Sequence, residues 1–278
     1  MSRREGAEEA PILCGKDADA PSIFSPVTVL IEAKRQKHLS TLQVPAVCVL
    51  DPDGDIVRWL KRTGRDSLSE TWACYHSELY EFELSGARIG VVGCAVGAPY
   101  AVLVAEQMFA CGCELLISLT SSGQIAKVAD PPYFVLVTRA LRDEGTSYHY
   151  QPPGRFADVH GALAEQARVA LRSDGVNVLE GATWTTDAPF RETQAAVAAA
   201  EQEGILAVEM ESAALYSFAA ARRKAVLCFA HVTNTMGQSD REFEKGHDEG
   251  VTASLRVVKS LVNVRLHLPN TGATGASA

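Results

Sequence analysis

Two glutamates flank a methionine, Glu209-Met210-Glu211, at the end of a short apolar run in the stretch GILAVEMESAA. Residues 205–208 are too few and too β-branched for a free-standing helix, whereas Ser212-Ala213-Ala214-Leu215 restarts with helical character, so the passage predicts a buried strand turning into a helix. Glu209 and Glu211 then stand at the carboxyl end of a strand, where strand ends and helix starts of an α/β sheet converge on a ligand crevice. A carboxylate there can accept two hydrogen bonds side by side from neighbouring hydroxyls such as those of a ribose, and Met210 adds a flexible apolar contact. The same residues also allow a plainer arrangement, in which one glutamate pairs with an arginine and the other caps the following helix.

Four other strand ends carry polar strings. Asp51-Pro52-Asp53-Gly54-Asp55 follows a predicted strand at 44–50 and sets three carboxylates around the glycine that a tight bend requires. Cys94-Ala95-Val96-Gly97-Ala98-Pro99 leads from a strand at 88–94 into a helix at 100–110; such glycine-bearing turns bind anions or serve as generic packing devices. Thr120-Ser121-Ser122-Gly123 follows a strand at 115–119, and Thr233-Asn234-Thr235 ends a strand at 225–232. With Glu211, these strings are expected to surround one crevice.

The remaining pattern predicts helices at 27–38, 56–61, 159–171, 191–203 and 248–262, and strands at 75–83, 133–137 and 177–186. The strands at 75–83 and 88–94 form a hairpin through Ser85-Gly86, and 142–150, RDEGTSYHY, is a structured loop rich in hydrogen-bonding side chains. Strands and helices alternate with no repeat and no linker, which gives one α/β domain, residues 23–265, around a largely buried sheet. A charged, aperiodic lead at 1–22 and a Gly/Ala/Thr tail at 266–278 are expected to be mobile.

With 278 residues, 47% hydrophobic, the chain can bury one large core, and a net charge of -8 argues against a nucleic-acid partner. No apolar run reaches the ~18 residues of a membrane span and the start, MSRREGAEEAP, lacks the apolar core of a secretory signal, so a cytoplasmic protein is expected. The seven cysteines, several in apolar strands (Cys48, Cys94, Cys228), read as reduced buried thiols. Cys111 and Cys113, one residue apart, fit neither a redox nor a zinc motif, so neither metal nor cofactor is expected. Lys34-Arg35-Gln36-Lys37 and Arg222-Arg223-Lys224 read as solvated helix ends.

VEMESAA, followed by a helix and an apolar strand, resembles the signature of the purine nucleoside phosphorylase and uridine phosphorylase superfamily. Further pieces follow in order across residues 44–265: Val96-Gly97-Ala98-Pro99 resembles the family's GxGxPS loop, Ser122-Gly123 its later glycine turn, and RDEGTSYHY and TTDAPFRET are also similar. The resemblance implies a phosphorylase/hydrolase-like fold with a central mixed sheet flanked by helices. It assigns the ribose hydroxyls to Glu211, the sugar face to Met210 and the face of the base to Phe190, whose alternative is ordinary core packing. It also implies a homodimer, or a hexamer built from dimers, with active sites completed across subunits. Asn234 stands where purine-specific members carry an aspartate and uridine-cleaving members an asparagine, so Asn234, with Thr235, is expected to hydrogen-bond the departing base.

The phosphate site departs from the family. Where three arginines are usual, this chain has Ile56 in the first turn, Tyr75 or His76 before the hairpin, and Ser118 before the glycine turn, and Cys94 replaces a threonine or serine. Arg58, Arg62 or Arg88 would have to stand in for them. The superfamily also contains hydrolases that lack the arginines and carry an acidic residue near the first turn, which makes Asp53 or Asp55, with His76, candidates for the base that activates water; a solvated turn and an interface histidine are the plainer alternatives. Cleavage of a nucleoside's N-glycosidic bond is therefore expected, with water or phosphate as acceptor. A nucleoside or base sensor that has lost turnover is the alternative.

Overall fold

The computed structural model of the chain describes residues 10–18, 20–236 and 244–265. Its first strand, β1 (Val47–Asp51), is buried at every residue, as a near-continuous apolar run between two helical layers must be. It pairs in parallel with β4 (Ala87–Gly93) and β5 (Leu115–Gln124). β4 forms the expected hairpin with β3 (Tyr80–Leu84), and β2 (Ser67–Leu68) lies on the outer edge. On its other side β5 pairs in parallel with β10 (Ala225–Thr235). β10 runs antiparallel to β6 (Tyr133–Asp143), which pairs in parallel with β8 (Leu179–Thr186) and antiparallel with β7 (Phe156–Asp158). β8 pairs in parallel with β9 (Ile205–Glu209), whose end returns antiparallel to β5. The mixed sheet thus curls until β5, β10, β6, β8 and β9 close on themselves, with β1, β4, β3 and β2 as an open arm.

Side chains alternate along the shared strands and divide the core in two. Leu116, Cys228, Ala230 and Val232 face α1 (Pro26–Gln36), α3 (Ala98–Ala110) and α6 (Ser212–Arg222). Ile117, Leu119, Leu227 and Phe229 face α2 (Asp55–Thr63), α4 (Gly161–Ser173) and α7 (Val251–Leu261). α5 (Gln194–Gln202) covers a smaller cluster around Trp184 and Ile205. Fully buried Tyr216 locks α6 to the barrel, since its hydroxyl donates to the Val137 carbonyl at 2.6 Å and accepts from the Cys228 N–H at 3.0 Å.

Several boundaries differ from the sequence expectation for one reason, closure of the barrel. The strings at 120–123 and 233–235, expected at the ends of their strands, lie within them; β5 and β10 run on together, setting Asn234 opposite Gly123 and Thr235 opposite Gln124, while Gly123 also pairs with Val208 of β9. The strands approach closely there, because a Cβ at 123 would lie 2.3 Å from Met236 Sδ and 3.3 Å from Val208 Cγ1, so the methionine would have to shift to admit one. β6 likewise extends to Asp143, past the expected 137, to meet β7 and β8. Residues 75–79, expected in a strand, precede it. Cys48 and Cys228 are buried, but Cys94, just past the end of β4, is exposed. Of the expected lead, Pro11–Leu13 form a 3-10 turn and Lys16 Nζ lies 3.2 Å from His149 Nδ1; residues 1–9, 19 and 266–278 lie outside the described residues.

Candidate active site

β9 delivers the two glutamates to different tasks. Glu209, the last residue of β9, accepts from Thr183 Oγ1 at 3.1 Å and Thr185 Oγ1 at 2.5 Å through Oε1, and from the N–H groups of Glu211 and Ser212 at 2.8 and 2.7 Å through Oε2. Expected to touch substrate, Glu209 instead joins β8 to β9 and caps α6, and it is 3% exposed. Glu211, the N-cap residue of α6, is 1% exposed. The Gly97 N–H donates to its Oε1 at 2.7 Å, and its Oε2 is buried with no hydrogen-bond partner among the described residues. Burial, then the neighbouring charge of Glu209, pushes the Glu211 carboxyl up to about 8, against the Gly97 N–H, which favours the ionised form.

Gly97 caps α3 at φ 88°, a conformation suited to glycine, and nothing lies within 4 Å of where its Cβ would be. Cys94 adopts φ 61°, which costs a non-glycine residue roughly 1–2 kcal/mol. Its N–H donates to the Asp51 carbonyl at 2.9 Å and so ties this loop to the turn after β1. A Cβ on Gly54 would lie 2.7 Å from Cys94 Sγ and 3.0 Å from Arg58 Nη1, so thiol and guanidinium converge over that glycine.

The three aspartates of the first turn have three different environments. Asp51 Oδ2 accepts from the N–H groups of Ile56 at 2.9 Å and Val57 at 3.2 Å and caps α2; burial pushes this carboxyl up to about 7. Asp53 Oδ2 accepts from both the N–H (3.1 Å) and the hydroxyl of Ser121, with Lys245 Nζ at 3.4 Å. Asp55 pairs with Lys245 Nζ at 2.6 Å and with Arg58, which also donates to the Asp53 carbonyl at 2.8 Å. The turn is therefore not the bare acidic mouth that the sequence suggests, because Lys245 and Arg58 neutralise it. Arg62 pairs with Asp248 at 3.8 Å and Arg88 with Glu81 at 2.6 Å, which leaves Arg58 as the one of the three that reaches the turn.

These contacts close a ring: Glu211 to Gly97, Cys94 to Asp51, Asp53 to Ser121, Gly123 to Asn234 and to Val208 of β9. Asn234, half-buried, accepts weakly at Oδ1 from Thr233 Oγ1 at 3.4 Å. Thr235 is committed to Gln124 Oε1 at 3.1 Å, and Ser122, also expected at the substrate, turns its hydroxyl to the Thr120 carbonyl at 3.2 Å. Met210 is half-buried beside the glutamates. Phe190 is 99% exposed in the 3-10 turn Pro189–Arg191, which rules out core packing. His76 is exposed and lines a cavity with Arg58 and Cys94. Thr183, Thr185 and Lys245 hold these carboxylates, and sequence reasoning gave them no role; Ser121 entered only as part of the string at 120–123. Thr183 and Thr185 had a usable signal, two hydroxyls at strand spacing on one face.

His231 is the buried imidazole nearest this turn. It stacks on Phe134 with ring centroids 4.3 Å apart, and burial, then Lys245, lowers it to about 4, so it is neutral at physiological pH. Among the described residues no cluster of three His, Cys, Asp or Glu could hold a metal ion, and no helix is long and apolar enough to cross a membrane.

Comparison with known proteins places this geometry. DeoD-type purine nucleoside phosphorylases of Bacillus cereus and Bacillus thuringiensis are 27% identical to the chain over 200 residues, covering 70% of it and 81% of their own length. The crystal structure of uridine phosphorylase from Vibrio fischeri shares the fold at a TM-score of 0.65 and 20% identity, over 79% of this chain and 91% of that one. The phosphorylase superfamily matches residues 47–263, from the first residue of β1 to just beyond α7, and the chain belongs to that superfamily.

Proposed function

We propose that the chain hydrolyses the N-glycosidic bond of a nucleoside, with water as ribosyl acceptor. The observation that carries this reading is the seat of Asp53. The N–H and hydroxyl of Ser121 form a pair of donors suited to an oxyanion, and the Asp53 carboxylate already fills it, with Lys245 beside it. A phosphate dianion would have to displace a carboxylate, and the nearby cations Arg58 and Lys245 are already paired with acids.

In this reading the sugar's neighbouring hydroxyls donate to the unpartnered Oε2 of Glu211 and stabilise its ionised form. The resulting carboxylate faces the positive charge that grows on the sugar as the bond to the base breaks. Asn234 donates to the departing base, while Met210 and Phe190 flank sugar and base. Asp53 orients a water and takes its proton as the oxygen bonds to C1′; the electron pair of the broken bond leaves with the base, which takes a proton from solvent. Glu209 does not touch substrate; it positions Glu211 through the cap of α6.

Phosphorolysis is the second reading, favoured by the activity named for the Bacillus relatives. Base release from purine and pyrimidine nucleosides, with free ribose separated from ribose 1-phosphate, decides between them. Free ribose formed equally fast without phosphate supports hydrolysis; strict phosphate dependence contradicts it; binding without release makes the chain a sensor.

We also propose that the chain pairs with a second copy through the face of α1 and α3. Phe24 (74% exposed), Val27, Ile31 and Leu103 present apolar surface there, beside a cleft of about 1200 Å³.

A further inference from the structure

The superfamily match begins at residue 47, yet residues 10–18, well before it, pack against the loop at 142–150. Ile12 is half-buried, and its Cδ1 lies 3.2 Å from where a Cβ on Gly145 would stand. Lys16 Nζ reaches His149 Nδ1 at 3.2 Å, at the end of the same loop's 3-10 turn, Thr146–His149. Burial, then the Lys16 charge, holds the His149 imidazole below its ordinary range, so the ring is neutral at neutral pH and Nδ1 can accept from the ammonium. Further along, Arg222, the last residue of α6, donates to Ser22 Oγ at 3.3 Å.

The contact at Gly145 continues toward the substrate. Its N–H donates to Asp187 Oδ2 at 2.8 Å. Asp187 follows β8, the strand whose Thr183 and Thr185 grip Glu209, and the turn Pro189–Arg191, with Phe190, comes next. The rest of the loop has its own ties: Arg142 Nε to Ser147 Oγ at 2.9 Å, the Ser147 N–H to Glu144 at 3.0 Å, and Trp184 Nε1 to Asp143 at 2.9 Å. Gly145 therefore sits between Ile12 and Asp187, with the lead on one side and the turn of Phe190 on the other. Phe190, 99% exposed, has no packing of its own to fix it, so its place depends on what holds the start of its turn.

We infer that the lead is a strap for recognition of the base: Ile12 and Lys16 hold the loop at 142–150 against Asp187, and through Asp187 fix the turn that presents Phe190. The inference rests on the N-glycosidic reading for what Phe190 faces, and it makes affinity for the base depend on residues outside the superfamily match. Ile12 and Lys16 are positioning residues. They act by ordering the turn in advance, so that binding does not have to order it.

The test measures base release and nucleoside-induced change in Tm for the native chain, an Ile12→Asn/Lys16→Gln variant and an Ile12→Val variant. The panel holds purine and pyrimidine nucleosides, with and without phosphate. In the double variant KM is expected to rise about tenfold with kcat within about twofold, while Ile12→Val behaves as the native chain. The nucleoside-induced rise in Tm shrinks in parallel. A double variant that loses kcat and unliganded Tm together, with KM unchanged, marks a merely structural lead and overturns the inference. Phosphate-independent release with KM untouched leaves hydrolysis standing and the strap refuted. Release that requires phosphate, with the rise in KM intact, sustains the strap while hydrolysis fails. Nucleosides that raise Tm in the native chain and not in the double variant, with no base released, sustain it while cleavage fails. A native chain that neither binds nor cleaves any member of the panel overturns both.

Discussion

Glu211 and Glu209 are two residues apart and chemically identical, yet one has every acceptor position used and the other keeps a buried oxygen free. That difference predicts opposite consequences of replacing them. Glu211→Gln should lower base release by about 10²–10³-fold, the usual loss when a group facing transition-state charge is removed. It should also stabilise the fold in a pH-dependent way. The carboxyl is raised from an ordinary value of 4.5 to about 8, so the stability tied to its proton is present below 4.5 and is lost as pH rises toward 8. The gain in Tm of Glu211→Gln over the native chain should therefore be larger at pH 8 than at pH 5. An equal gain at both would mean that the proton is not held. The residues alone allowed either glutamate to meet substrate, and only the family resemblance chose Glu211. The difference in their surroundings depends on Thr183, Thr185 and Gly97, which are 26, 24 and 114 positions away from their glutamates.

At the scale of elements, the cap of α6 and the hydroxyl of Tyr216 fix where β9 points. Glu209→Ala strands two buried threonine hydroxyls and two helix N–H groups and should cost about 2–4 kcal/mol in urea unfolding. Tyr216→Phe, which leaves the Cys228 N–H and Val137 carbonyl unpaired, should cost about 1–3 kcal/mol without altering substrate preference. Most helices and strands were legible because their apolar periods are local. The polar strings at 120–123 and 233–235 are expected at the ends of their strands but lie within them, since burial of a polar strand end is decided by its neighbours in the sheet and not by its own composition. The acidic turn shows the same limit. Its three carboxylates are plain in the sequence, but their neutralisation by Lys245, 190 residues beyond Asp55, is not.

At the scale of the whole molecule, one closed ring of strands brings the ends of β5, β9 and β10 together, and the alternation of strands and helices announced that α/β architecture. Closure itself, carried by pairings of β5 with β9 and β10, depends on long-range contacts that no local pattern encodes. If the apolar face of α1 and α3 holds a second copy, light scattering should give a dimer or a multiple of one, and Phe24→Asp/Ile31→Asp should reduce it to monomer; a native monomer at micromolar concentration contradicts that pairing. The central claim is that Asp53, seated on Ser121, serves water and not phosphate. Product analysis of nucleoside cleavage in phosphate-free buffer, with the native chain and Asp53→Asn, tests it most directly. The account predicts free ribose from the native chain at a rate unchanged by added phosphate, and a loss of about 10²–10⁴-fold in the variant. Formation of ribose 1-phosphate alone, with no base released until phosphate is added, would contradict it.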